Sequence, residues 1–205
     1  MKNSLLATLA AIVAPLCPVA GITAEYPLLP VSYNDVEMTS DFWRPRMITQ
    51  RETLVPWAFE RTEPGVAHLR AAADYLKGKK VEDHRAHRFI DSDLYKVMEG
   101  AAYLLQLERN PRLEKKMDEI ISVIGAAQEP NGYLYPSHTT KVGAAKNMMR
   151  QRPYSFIVHS HELYNMGHLY EAAVAYYETT GKDALLKIAE KNAQHINKVF
   201  FEGDA

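Results

Sequence analysis

A chain of 205 residues that is 47% hydrophobic and 10% aromatic has enough apolar material for one filled core, which excludes a wholly disordered polypeptide. Its 24 Lys and Arg against 25 Asp and Glu give a formal net charge of −1, so no basic face for nucleic acid or an anionic membrane surface is expected.

The first residues read as an export signal. Lys2 supplies a positive start, Leu5 to Val13 an apolar run, and the small residues around Ala20 to Ala24 a peptidase site, placed after Ala24. The run falls short of the roughly 20 residues that span a bilayer, so a membrane anchor is the weaker reading. Cys17 raises a lipoprotein, but Pro15-Leu16 before it fits a lipidation box poorly. Residues 1–24 are therefore expected to be a signal peptide, with a periplasmic or extracellular destination, and 25–205 the mature domain. Cys17 is the sole cysteine, so the mature chain is expected to lack a disulfide, a thiolate nucleophile and a cysteine metal ligand.

From Glu25 to Thr39 the pattern is extended, with Pro27, Pro30 and alternating Val31, Tyr33 and Val36. Helical periods follow. Asp41 is a candidate cap for a helix through Trp43, Met47 and Leu54 towards Phe59, with Pro56 as a kink or stop. Gly65 to Leu76 offers a weaker helix, and the charged stretch from Lys77 to His87 a surface loop. Leu94, Val97, Met98, Ala101, Leu104 and Leu105 then form an apolar stripe closed by Asn110-Pro111. Leu113, Met117, Ile120, Ile121 and Ile124 form a second. A third carries Leu163, Leu169, Ala172, Ala173 and Tyr176 and ends at Gly181, and a fourth carries Leu185, Leu186, Ala189, Ala193, Ile196 and Val199.

These four helices repeat as a pair. Ala101-Ala102 correspond to Ala172-Ala173, and Leu113, Met117, Ile121 and Ile124 to Leu185, Ala189, Ala193 and Ile196. Repeated helical hairpins pack as a solenoid or close into a toroid. In such a stack the tight turns lie at one end. Asp91, Asp93, the stretch from Gln128 to His138, His159 and His161 converge on the other, beside a long loop between Glu129 and His159.

The richest motif is His159-Ser160-His161-Glu162-Leu163-Tyr164-Asn165-Met166-Gly167-His168. A zinc-protease helix needs a second His four residues after His161, where Asn165 stands, so that chemistry is excluded. A metal site from His159, His161 and His168 is geometrically awkward, since 161 and 168 lie about 10 Å apart along a helix. His161, at a helix start facing the rim, suits hydrogen bonding to a neutral polyol, whereas His168 reads as a core histidine. Asp91 and Asp93 precede a helix and read first as caps. Asn131-Gly132 forces a turn that presents Tyr133, as either a packing ring or a sugar platform.

Taken together, Phe42-Trp43-Arg44-Pro45-Arg46, Asp91-Ser92-Asp93-Leu94-Tyr95-Lys96, Ala127-Gln128 with Gly132-Tyr133-Leu134, and Ser160-His161-Glu162-Leu163-Tyr164 with Gly167-His168 resemble glycoside hydrolase family 127. Glu171-Ala172-Ala173-Val174-Ala175 with Thr180-Gly181-Lys182 fits as well. The resemblance implies an all-α fold, part of an (α/α)6 toroid of antiparallel hairpins behind a short extended segment. It also implies β-L-arabinofuranosidase activity on arabinose-containing glycans of plant type. His161 matches a substrate-binding histidine of the family, and Asp93, Gln128, Tyr133 and His138 join it as candidate substrate-binding residues. Family members are longer than this sequence and use a zinc-bound cysteine nucleophile with a glutamate acid/base. Neither is matched here, so no catalytic residue, metal ligand or cofactor is assigned to this chain. The expectation is an N-terminal part of such an enzyme, without hydrolytic activity of its own. The alternative is an exported helical-repeat module that binds polysaccharide or protein without chemistry.

Overall fold

The computed structural model of the chain describes residues 28, 31–82, 87–141 and 152–203. The expected signal peptide, and Cys17 within it, lie outside these residues. Those described form helices and no strand.

The N-terminal segment is not extended throughout: a 3₁₀ turn at Tyr33–Asp35 interrupts it, with the Ser32 side chain accepting from Asn34 N–H. That turn is fixed from three sides. The Tyr33 hydroxyl donates to the Ala175 carbonyl at 2.9 Å, Gln106 Nε2 donates to the Tyr33 carbonyl at 2.7 Å, and the Tyr33 and Tyr103 rings meet edge to face at 5.0 Å.

Helix α1 (Trp43–Thr49) starts without the expected Asp41 cap; Ser40 does that work, its Oγ accepting from Phe42 N–H. It passes through a π turn (Gln50–Leu54) into α2 (Val55–Arg61). Pro56 therefore neither stops nor breaks the run. The widened turn, in which Val55 N–H reaches back to the Gln50 carbonyl, absorbs the residue that cannot donate. α3 (Glu63–Leu76) follows, then α4 (Ile90–Leu107) and α5 (Pro111–Ala127). The connection to the second hairpin holds two short helices, α6 (Pro136–Thr140) and α7 (Ile157–Ser160). α8 (Glu162–Thr180) and α9 (Ala184–Asn197) complete that hairpin, and α9 runs on through a π turn at Lys198–Glu202.

The two hairpins stack as the repeat requires. α4 lies against α8, and α3, α5 and α9 pack behind them. Ala101 and Ala102 on one helix and Ala172 and Ala173 on the other are fully buried, and such small side chains let the two helix axes approach closely. Leu94, Met98, Met117, Ile124 and Leu169 fill the space around them, each contributing about 1.5–3 kcal/mol by leaving water. Where α3 meets α4, a Cβ on Gly65 would stand only 3.1 Å from the Ile90 carbonyl oxygen. The third stripe is less complete than its period suggests, because Leu163 is exposed.

The tight turns are chemically specified. Asn110 Oδ1 accepts from the N–H groups of Arg112 and Leu113, and Pro111 opens α5 where no N–H is needed. Gly181 (φ 73°) ends α8 in the left-handed region. Lys182 then bridges back to Glu114 and Asp118, both at 2.6 Å, while the Tyr176 hydroxyl donates to Asp118 at 2.7 Å. With the turns tied at one end, the starts of α4 and α8 and the ends of α5 and α9 form the opposite rim.

Candidate functional site at the rim

The rim is built in two layers. The inner layer gathers around Glu162, the first residue of α8 and only 2% exposed. Its Oε1 accepts from the Tyr133 hydroxyl at 2.5 Å and from Tyr154 N–H at 2.9 Å, and its Oε2 from the Ser160 hydroxyl at 2.5 Å. Three donors on one buried carboxylate satisfy a group that would otherwise be costly inside. Burial, and then the neighbouring Glu162, push the Tyr133 phenol well above its ordinary pKa, so it stays a donor. The Tyr135 hydroxyl adds bonds to the Ser160 carbonyl at 2.5 Å and the Arg88 carbonyl at 3.0 Å. Asn165 Nδ2 reaches the same Arg88 carbonyl at 3.1 Å.

Gly132 makes the approach of this segment to α9 possible. At φ +98° it sits where a Cβ would fall 2.4 Å from the Lys191 carbonyl oxygen. Its own carbonyl accepts from Gln128 Nε2 at 3.1 Å and Asn192 Nδ2 at 2.9 Å. Tyr133 meets His138, Tyr154 and His195 edge to face at 5.3–5.7 Å.

A second buried group binds α3, α4 and α6. His68 Nδ1 lies 3.1 Å from Asp91 Oδ1, and its Nε2 lies 3.3 Å from Ser137 Oγ. The order Ser–His–Asp matches a nucleophilic triad, but the three residues are 0%, 1% and 1% exposed, so no substrate reaches the hydroxyl. The arrangement is a structural tie. Asp91 does not cap α4, contrary to the sequence expectation. Asp93 does not either, pairing instead with Lys96 at 3.3 Å.

The outer layer is open. His161 joins α7 to α8 with φ 63°, in the left-handed region, and its Nδ1 lies 3.1 Å from the His159 carbonyl oxygen. Its ring packs against Phe89 (5.3 Å) and Tyr164 (5.7 Å), which are 36% and 47% exposed. His87 stacks on Phe89 at 5.7 Å, and Lys96 Nζ stands 5.2 Å above the Tyr164 ring. His168 extends this row by meeting Tyr164 edge-on at 4.7 Å. It is half-buried and so not the core histidine that its depth in the helix suggested. The reason is rotational: its position falls at the edge of the buried stripe of α8, one turn on from exposed Tyr164 and about 100° round the helix from Leu169.

The structure thus divides the five candidate substrate-binding residues. His161 and Asp93 stand in the open layer. Gln128 and Tyr133 turn inward, the Gln128 Nε2 and the Tyr133 hydroxyl donating to protein partners, and half-buried His138 packs on Tyr133. Sequence reasoning missed Glu162, Ser160, Tyr135, Tyr154, Phe89 and Tyr164. Only the alternation of Tyr133 and Tyr135 and the position of Glu162 at a helix start offered a signal. Among the described residues, no three of His, Cys, Asp and Glu stand close enough to hold a metal ion. Among the same residues, no helix is long and apolar enough to cross a membrane.

Comparison with known proteins agrees on one family. Residues 35–203 match the family described as β-L-arabinofuranosidase, GH127 catalytic domain. Over 187 residues the chain is 33% identical to the non-reducing end β-L-arabinofuranosidase of Bifidobacterium longum subsp. longum, covering 81% of this chain and 27% of that protein. A solved GH127 β-arabinofuranosidase aligns with a TM-score of 0.70 at 37% identity, covering 82% of this chain and 27% of the other. A GH127 β-L-arabinofuranosidase from Geobacillus stearothermophilus T6 aligns with a TM-score of 0.71 at 34% identity, covering 81% and 26%. The chain spans about a quarter of the length of these relatives. Its stacked hairpins correspond to part of their α/α toroid. By sequence and by fold, the chain belongs to glycoside hydrolase family 127, within the catalytic domain.

Proposed function

We propose that this chain supplies one side of a sugar-binding rim in an exported β-L-arabinofuranosidase acting on arabinose-containing glycans of plant type. The observation that carries the reading is His161, held in a left-handed backbone conformation between the exposed rings of Phe89 and Tyr164. An imidazole can donate from one nitrogen and accept at the other, which suits a neutral sugar hydroxyl. Flanking aromatic faces suit the apolar face of the ring, and Lys96 with Asp93 adds polar groups at the edge. Gln128, Tyr133 and His138 support this surface from behind. The relatives' activity supports the choice of sugar, and the amino-terminal pattern around Lys2 and Ala24 supports export.

Titration of the chain with methyl β-L-arabinofuranoside, followed by NMR, tests the proposal. Shifts should concentrate at Phe89, His161 and Tyr164 and vanish in His161→Ala. A contrary result would place the shifts in the separate cleft of about 450 Å³ at the turn end, lined by Met38, Arg44, Arg51 and Gln106.

A further inference from the structure

We propose that Glu162 is the positioning residue for His161. In this role its buried carboxylate holds the preceding residue in a left-handed conformation and so aims the imidazole at the rim. The inference rests on the reading of His161 as a sugar contact only for its consequence, and not for its geometry.

Non-glycine residues avoid positive φ because Cβ crowds the backbone, and such strain persists only where the surroundings over-determine it. Among the described residues three non-glycine positions adopt it, Lys141, Tyr154 and His161. Two of these three meet at Glu162. Tyr154, at φ 60°, gives its N–H to Oε1, and Ser160, adjacent to His161, gives its hydroxyl to Oε2. The Ser160 carbonyl is held in turn by the Tyr135 hydroxyl. Residue 161 is therefore fixed from both sides, by a serine whose two polar groups are engaged and by a glutamate whose side chain is locked among three donors. A carboxylate is suited to this because it accepts at both oxygens and donates at neither. Glutamine in its place would turn an amide N–H₂ on the Tyr154 N–H or oblige the Ser160 hydroxyl to change from donor to acceptor. Because the Cα of Glu162 follows directly after His161, loosening its side chain frees the peptide that sets the imidazole's direction.

The test compares two backgrounds. With Glu162 present, His161→Gly should be more stable than His161→Ala, because only glycine adopts positive φ without cost. With Glu162→Gln the strain is released and the order should reverse, alanine becoming the more stable because it loses less entropy on folding. In parallel, the His161 ring resonances, shifted in the parent by Phe89 and Tyr164, should move towards those of a free imidazole in Glu162→Gln. Affinity for methyl β-L-arabinofuranoside should fall with them. If Glu162→Gln does not fold, Ser160→Ala, which removes one of the three donors, is put through the same comparison. Glycine remaining ahead of alanine by the same margin in both backgrounds, with unmoved His161 resonances, would overturn the proposal. Moved resonances with unchanged glycoside affinity would uphold the positioning role and overturn the sugar assignment.

Discussion

The outer shelf and the inner web of the rim meet at the peptide bond between His161 and Glu162, yet they follow opposite rules. In the web, Tyr133 and Glu162 are 1% and 2% exposed and their hydrogen-bonding groups are matched inside the protein. In the shelf, exposed Phe89 and Tyr164 flank a half-buried His161, and the contacts joining them are ring contacts and one exposed ion pair. Buried, satisfied groups stabilise, whereas exposed pairs contribute little. The difference teaches that stability and recognition are separated here by a single residue step. Substitutions should therefore sort cleanly into those that unfold and those that only weaken binding.

The largest effect is expected in the web. Tyr133→Ala removes a buried ring packed on His138, Tyr154 and His195 and leaves Glu162 one donor short. It should cost about 3–5 kcal/mol in denaturant unfolding. Gly132→Ala comes next. Its new Cβ would meet the Lys191 carbonyl oxygen at 2.4 Å while φ stays at +98°, so about 1–3 kcal/mol should be lost. Either variant unfolding with parental stability would mean that the web is looser than its geometry implies.

Effects of intermediate size are expected at His161 in the shelf and His195 in the web. His161→Gly should exceed His161→Ala in stability by about 1 kcal/mol, the cost of left-handed backbone, while both lose glycoside affinity. His195 sits beside Tyr133 and Tyr154, and burial, aided by Lys198, lowers its pKa against the opposing pull of Glu129 and the Asn131 backbone. The unfolded chain then binds the proton more readily than the folded one. The contribution of His195 is intact above its ordinary pKa of about 6.5 and declines as pH falls through that value towards the lowered folded one. Unfolding measured from pH 7.5 to 5 should show this loss, and His195→Gln should flatten it.

Much of the fold was legible because it rests on periodicity. The stripes of α4 and α5, their echo in α8 and α9, and the stops at Asn110-Pro111 and Gly181 are local patterns that the packed hairpins reproduce. Of the candidate site residues, only His161 and Asp93 stand on the open face that the repeat predicted for all five. Glu162 looked like an ordinary acidic residue in a first helical turn, and nothing local shows that Tyr133, 29 residues earlier, ends on its carboxylate. Pro56 failed for a related reason: the π turn that accommodates it lies ahead of it, at Gln50–Leu54, and the proline itself does not announce it. His168 failed because its depth along α8 says nothing of rotation about that helix.

The smallest stability effect should come from Asp93→Asn, and it tests the separation most directly. Asp93 is paired with Lys96 three residues on, with the side chains 52% and 39% exposed. A pair so open to water is worth at most about 0.5 kcal/mol in a helix, and much of that is screened at ordinary salt. Unfolding should therefore be indistinguishable from that of the parent. Lys96, however, also stands over the Tyr164 ring, and the aspartate helps to hold it there. Releasing the ammonium frees a flexible side chain across the shelf where the sugar is proposed to sit. Affinity for methyl β-L-arabinofuranoside should fall severalfold with no change in melting temperature, and high salt should mimic the substitution in the parent protein. Lost stability with retained affinity would reverse the assignment, making Asp93 part of the scaffold and drawing the boundary between web and shelf on the wrong side of α4.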